Sequence, residues 1–155
     1  MPQLVKGGKY VFGWSKVGNQ GEIVIPLEAL EEYNLTTDGN VILMPGSETS
    51  GGFGLTTVES LKKSSLSTLL DENPQLAKFQ VSEGKAIDIG GKIYCWTKLC
   101  DGHIALPVET LEKFGIKPGA RLLSVRGSYL AIGFVVRGPI IEAAKTHPEI
   151  EIFEI

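Results

Sequence analysis

Apolar positions along this chain follow two rhythms, and the order in which they come predicts the elements. Gly7-Gly8-Lys9-Tyr-Val-Phe-Gly-Trp-Ser-Lys16 is rich in aromatic and branched residues behind a glycine pair, which predicts a strand. Gly18-Asn-Gln-Gly21 supplies turn chemistry, and Ile23-Val-Ile25 reads as the return strand, so the unit is expected to open as a β-hairpin. The rhythm then changes at Pro26, whose fixed φ suits the start of a helix. Leu27 and Leu30 mark a stripe expected to be buried, Glu28 and Glu31 suit the positive end of the helix dipole, and Asn34 suits a left-handed cap. Strands are expected again over 41–44 and 52–55. Thr56-Thr-Val-Glu59 resembles a capping box, which predicts a helix reaching about Leu70. Residues 74–81 close the unit with a pattern shared by the chain's last eight residues.

The whole series then recurs. Gly90-Gly91-Lys92-Ile-Tyr-Cys-Trp-Thr-Lys98 is the counterpart of the first strand, Cys100-Asp-Gly102 of the turn, and Ile104-Ala-Leu106-Pro107 of the return strand and helix start. Val108, Leu111 and Phe114 match the apolar stripe, Glu109 and Glu112 the acidic turn, and Gly115 the cap. Gly21 and Gly102 lie 81 residues apart (102 − 21), as do Pro26 and Pro107, Gly46 and Gly127, and Phe53 and Phe134. The offset is 82 at Trp14 and Trp96 (96 − 14), so the copies differ by single residues in the first strand and its turn. A fixed period of this kind is the mark of duplication. The expected units are residues 1–82 and 83–155, each a hairpin–helix–hairpin with a trailing helix and short strand, the last with Ile150 and Ile152 inward and Glu151 and Glu154 facing water. Residues 82–89 read as a linker reaching at most roughly 26–29 Å, so the copies are expected to be neighbours that interleave. The fold class is mainly β, α+β.

Composition narrows the function. Hydrophobic residues make up 43% and charged residues 21% of the 155, ordinary for a globular chain, and the net charge of −3 does not give the basic footprint of a general polyanion binder. The three arginines, Arg121, Arg126 and Arg137, all fall in the second copy. Two cysteines give no disulfide framework. The longest apolar run, 129–136, is far short of the ~20 residues a membrane span needs, and the N-terminus lacks a signal-peptide pattern, so a cytoplasmic chain without membrane association is expected. No phosphate loop, nucleophile elbow or triad pattern occurs, which points away from an enzyme.

The second copy's Gly102-His-Ile-Ala-Leu-Pro-Val-Glu-Thr-Leu111 followed by Gly115-Ile-Lys-Pro-Gly-Ala-Arg-Leu122 resembles the SpoVT/AbrB swapped-hairpin family, and Gly21-Glu-Ile-Val-Ile-Pro26 resembles it in the first. The resemblance covers about 40 residues per copy and implies a tandem swapped-hairpin barrel in which one chain supplies both halves as a pseudo-dimer. It also implies a DNA-binding transcriptional regulator, with Lys9, Lys16, Lys92 and Lys98 of the first hairpins as candidate phosphate contacts. The chain departs from the family at the position after the turn glycine, where Glu22 and His103 stand instead of arginine, and on the short helix, where Glu31 and Glu112 stand instead of basic residues. Those departures favour the alternative of a protein-interaction module, antitoxin-like or adaptor, that kept the fold and lost DNA contacts. Its partner would be a protein such as a toxin. Association of pseudo-dimers into a further homo-oligomer, and a small ligand inside the barrel, stay open.

Residue types allow competing roles. Trp14 and Trp96 suit base stacking, but matched aromatics in a duplicated β fold are expected in the core. Cys95, Cys100, His103 and His147 are metal-ligand types, yet the copies do not share them and their spacing fits no ligand motif, so neither metal nor cofactor is expected.

Overall fold

A computed structural model describes residues 10–155. Lys9 lies outside the described residues. The first half carries β1 (Val11–Lys16), β2 (Glu22–Val24), α1 (Leu27–Glu32), β3 (Gly39–Pro45) and β4 (Phe53–Thr56), followed by α2 (Val58–Lys62), α3 (Ser67–Glu72), α4 (Pro74–Ala77) and β5 (Ile87–Ile89). The second carries β6 (Lys92–Leu99), β7 (His103–Ala105), α5 (Val108–Lys113), β8 (Arg121–Arg126) and β9 (Ile132–Val135), then α6 (Pro139–Ala144) and β10 (Ile152–Phe153). The fold is mixed α+β and mostly sheet.

Eight strands form one sheet in the order β10-β1-β8-β9-β4-β3-β6-β5, and β2 pairs with β7 in a separate ladder. The expected barrel is corrected: the sheet is open, because β10 and β5 end it at opposite edges and the return strands leave it altogether. The halves exchange strands. β1 lies against β8, with Trp14 opposite Leu123, and β6 lies against β3, with Trp96 opposite Ile42. Phe53 faces Phe134 where β4 meets β9, Ile23 faces Ile104 in the small ladder, and both pairs join matched residues, so a pseudo-twofold axis passes through them. The two phenylalanine rings stack at 4.9 Å. The extra residue in the first copy's strand is taken up by a register shift between Val11 and Gly13.

Alternation along each strand splits the core. One face of the sheet (Phe12, Val41, Leu43, Phe134) packs against Ile23, Ile104, Leu30 and Leu111 from the small ladder and short helices. The other face is covered at one end by α6, around Trp14 and Leu123, and at the other by α2 to α4, around Trp96 and Ile42. Both tryptophans are therefore core residues, which removes them as stacking platforms.

Other expectations change in detail. The opening hairpins keep bonds at their turns, among them Gly18 N–H to Glu22 O and Cys100 N–H to His103 O, both 2.9 Å, because each return strand pairs with its counterpart and sends Ile23 or Ile104 into the shared core. The second hairpins form as expected, and Asn34 and Gly115 adopt left-handed caps at φ 56° and 76°. The helix expected to reach Leu70 is broken between α2 and α3, where Ser64 donates its hydroxyl to Leu61 O and accepts from Leu66 N–H. Its cap is Thr57, which accepts from Ser60 N–H, one residue later than the capping-box reading. Residues 74–81 hold the short helix α4 rather than a strand, started by Pro74. The linker contains β5. At the C-terminus Ile150 is buried, but Ile152 and Ile155 are exposed, so only the first matches the inward pattern. Leu27 and Val108 are also exposed; Ala29 and Leu30, and Thr110 and Leu111, are the buried helix positions. No helix of the described residues is long and apolar enough to cross a membrane.

Candidate functional site

The candidate phosphate contacts that the structure describes lie on the first strands of the two halves, β1 and β6. Lys16 ends β1 opposite Arg121, and its Nζ lies 3.6 Å from a Glu154 carboxylate oxygen. Lys98 holds the matching place on β6 opposite Asn40, and its backbone N–H is bound by the Glu83 carboxylate at 3.1 Å. In the sheet order β1 and β6 are five strands apart, and the β2–β7 ladder joins the turns that follow them. Lys92 begins β6 opposite Ile89, and the six residues separating it from Lys98 span roughly 20 Å of strand. Lys16 thus has both a cation and a carboxylate as neighbours, and Lys98 has a carboxylate at its backbone.

Where the family resemblance places basic residues this chain carries Glu22, His103, Glu31 and Glu112. Glu22 lies opposite Ala105 in the small ladder, and Val24 opposite His103. The second turn is tied down by Asp38, whose carboxylate accepts the Asp101 N–H at 3.0 Å. Leu27 is 59% and Val108 45% exposed, each the first residue of its short helix. Glu31 and Glu112 stand four residues on, so each apolar side chain has a carboxylate on the same helix face. The two helices leave paired strands, and the axis therefore presents the same apolar–acidic pair twice.

Two of the three arginines hold the fold together. Arg126 binds both carboxylate oxygens of Glu32 across the halves, with the Nε bond at 2.6 Å, and its guanidinium sits 4.7 Å from the Tyr10 ring centroid. This hydrogen bonding holds the Glu32 carboxyl below its ordinary value. Tyr33 adds a second link between the halves, its hydroxyl donating to Ser128 O at 2.6 Å. The hydrogen bond from Tyr10 to Glu28 raises the Tyr10 pKa, and burial raises that of Tyr33. Arg137 donates to Glu48 O at 2.8 Å. Arg121 alone of the three has no side-chain partner among the described residues.

The residue types considered for metal binding are dispersed. Cys95 is buried, its thiol pushed up to about 12 chiefly by desolvation, while Cys100 is exposed and His147 pairs with Glu149 at 2.7 Å. No group of three or more His, Cys, Asp or Glu suited to a metal ion occurs among the described residues.

No family model, no curated protein and no solved structure matches the chain. What the sequence reading passed over is the exposure of Leu27 and Val108 and the unpaired state of Arg121. The signal for the second was present, since arginine occurs only in the second copy.

Proposed function

We propose that this chain is a covalent swapped-hairpin pseudo-dimer of the SpoVT/AbrB type that works as a protein-interaction module. The observation that carries this reading is the doubled apolar–acidic pair, Leu27 with Glu31 and Val108 with Glu112. An exposed apolar residue with a carboxylate beside it, present once on each half, suits a basic protein partner, because burial of the apolar residue supplies affinity and the carboxylate steers and selects. The strand exchange supports the architecture, since each half donates its first strand to the other's second hairpin.

Affinity capture from the source cells, followed by binding measurements on the retained protein, tests the reading. A Leu27→Ser/Val108→Ser variant is expected to weaken that binding at least tenfold, a loss of about 1.4 kcal/mol. Binding that is unchanged in this variant would overturn the reading.

A second reading, DNA binding through both first hairpins, is favoured by one observation: Lys16 and Lys98 occupy matched register positions, opposite Arg121 and Asn40. The module reading expects a flat anisotropy titration with mixed-sequence duplex DNA at ~50 mM salt. Saturable binding that is weakened by Lys16→Gln and Lys98→Gln would favour the DNA reading instead.

A further inference from the structure

The two halves are controls for each other, and they differ at their tryptophans. Around Trp96 the chain fills its own space. Phe79 packs on the ring at 5.1 Å, Leu61, Leu70 and Leu76 close the sides, and the Val81 carbonyl accepts the indole N–H at 2.6 Å. Around Trp14 the single helix α6 stands where the first half has α2, α3 and α4. A groove of about 350 Å³ is left beside it, lined among others by Trp14, Arg121, Ile141, Lys145, His147 and Ile150. That volume is at the lower end for small-molecule pockets.

Two donors in this groove lack acceptors. Trp14 is 8% exposed, and its indole nitrogen has no acceptor among the described residues. Among the described residues no fully buried side-chain nitrogen is without a partner, so this N–H is open to solvent. The charges show the same imbalance. Lys145 has Glu142 at 3.1 Å, His147 has Glu149 at 2.7 Å, and Lys16 has Glu154 at 3.6 Å, which leaves the Arg121 guanidinium without a carboxylate. In the first half the place of Arg121 is taken by neutral Asn40. The half that lacks an internal plug over its tryptophan carries an arginine with no carboxylate partner among the described residues, where the other has neutral Asn40.

We infer that this groove binds a small apolar carboxylate. Its hydrocarbon body lies in the groove against Ile141, Ile150 and the edge of Trp14, and its carboxylate meets the Arg121 fork. Guanidinium and carboxylate match in a planar, two-bond geometry, and one unpaired cation balances one negative charge. The apolar walls contribute affinity through burial of the body. The site is independent of which macromolecule the acidic surface takes.

The two indole N–H signals in a heteronuclear NMR spectrum of the full chain, assigned with Trp14→Phe and Trp96→Phe, report on the groove and its filled counterpart separately. Titration with phenylacetate or hexanoate is expected to move the Trp14 signal saturably, with a Kd of about 1 mM or tighter, and to leave the Trp96 signal in place. Phenylacetamide, which keeps the ring and loses the charge, is expected to bind at least ~10-fold more weakly, and Arg121→Gln to lower phenylacetate affinity by a similar factor without changing the melting temperature. Inorganic phosphate that binds as well as phenylacetate would show a bare-anion site and overturn the assignment. So would the absence of a saturable Trp14 shift by ~10 mM of either carboxylate, or an Arg121→Gln chain that binds undiminished.

Discussion

Gly21 and Gly102 are the same residue of the repeat, yet a methyl group is tolerated differently at the two. Both have left-handed backbones, φ 79° and 77°, but a Cβ on Gly21 would lie 2.0 Å from the Leu106 carbonyl oxygen while one on Gly102 meets nothing within 4 Å. Gly102→Ala is therefore expected to cost only the left-handed penalty, about 1–2 kcal/mol. Gly21→Ala must also displace the β2–β7 ladder, and a loss of roughly 3 kcal/mol or more is expected from urea unfolding midpoints. The pattern of matched glycines shows a turn at both places but not what crosses it. The cysteines differ in the same way. Cys95 is buried with its thiol pushed up to about 12, and Cys100 is exposed. One thiol per folded chain is expected to react quickly with a thiol reagent at mildly alkaline pH, the second only on unfolding.

At the scale of elements, the local signals held where a single residue dictates geometry. Prolines precede both short helices, Asn34 and Gly115 cap them, and the second hairpins pair within each half. Partner choice was not legible, because strand patterning is indifferent to which copy supplies a neighbour. Ile42 and Leu123 are equally apolar, so nothing local tells Trp14 which one it will face. The candidate site was legible to a similar degree. Repetition singled out Lys16 and Lys98, but the carboxylates beside them depend on tertiary arrangement. The first copy's trailing helix is interrupted because Ser64 captures backbone groups inside an otherwise helical stretch. The β4–β9 junction carries the clearest energetic expectation. Phe134 is fully buried and stacked on Phe53 at the axis, so Phe134→Ala is expected to cost about 3–5 kcal/mol by calorimetry or urea unfolding.

For the whole molecule, strand exchange makes the two halves one cooperative unit. Both sheet neighbours of β1, which are β8 and β10, come from the second half, so a single unfolding transition is expected. The Glu32–Arg126 bridge joins the halves at a half-exposed site, and its contribution depends on pH. Hydrogen bonding to Arg126 lowers the Glu32 pKa from 4.5, so the stabilisation is present above that value and is lost as pH falls through the lower, folded one. Arg126→Gln is expected to lower Tm by no more than ~3 °C at neutral pH, and the difference from the parent chain to shrink as pH falls below the ordinary carboxylate value. The exchange itself is read most directly from cross-strand backbone NOEs in the full chain. Contacts of Trp14 with Leu123 and of Trp96 with Ile42 are the expected result, whereas contacts of Trp14 with Ile42 and of Trp96 with Leu123 would mean that each half pairs its own strands, and would contradict it.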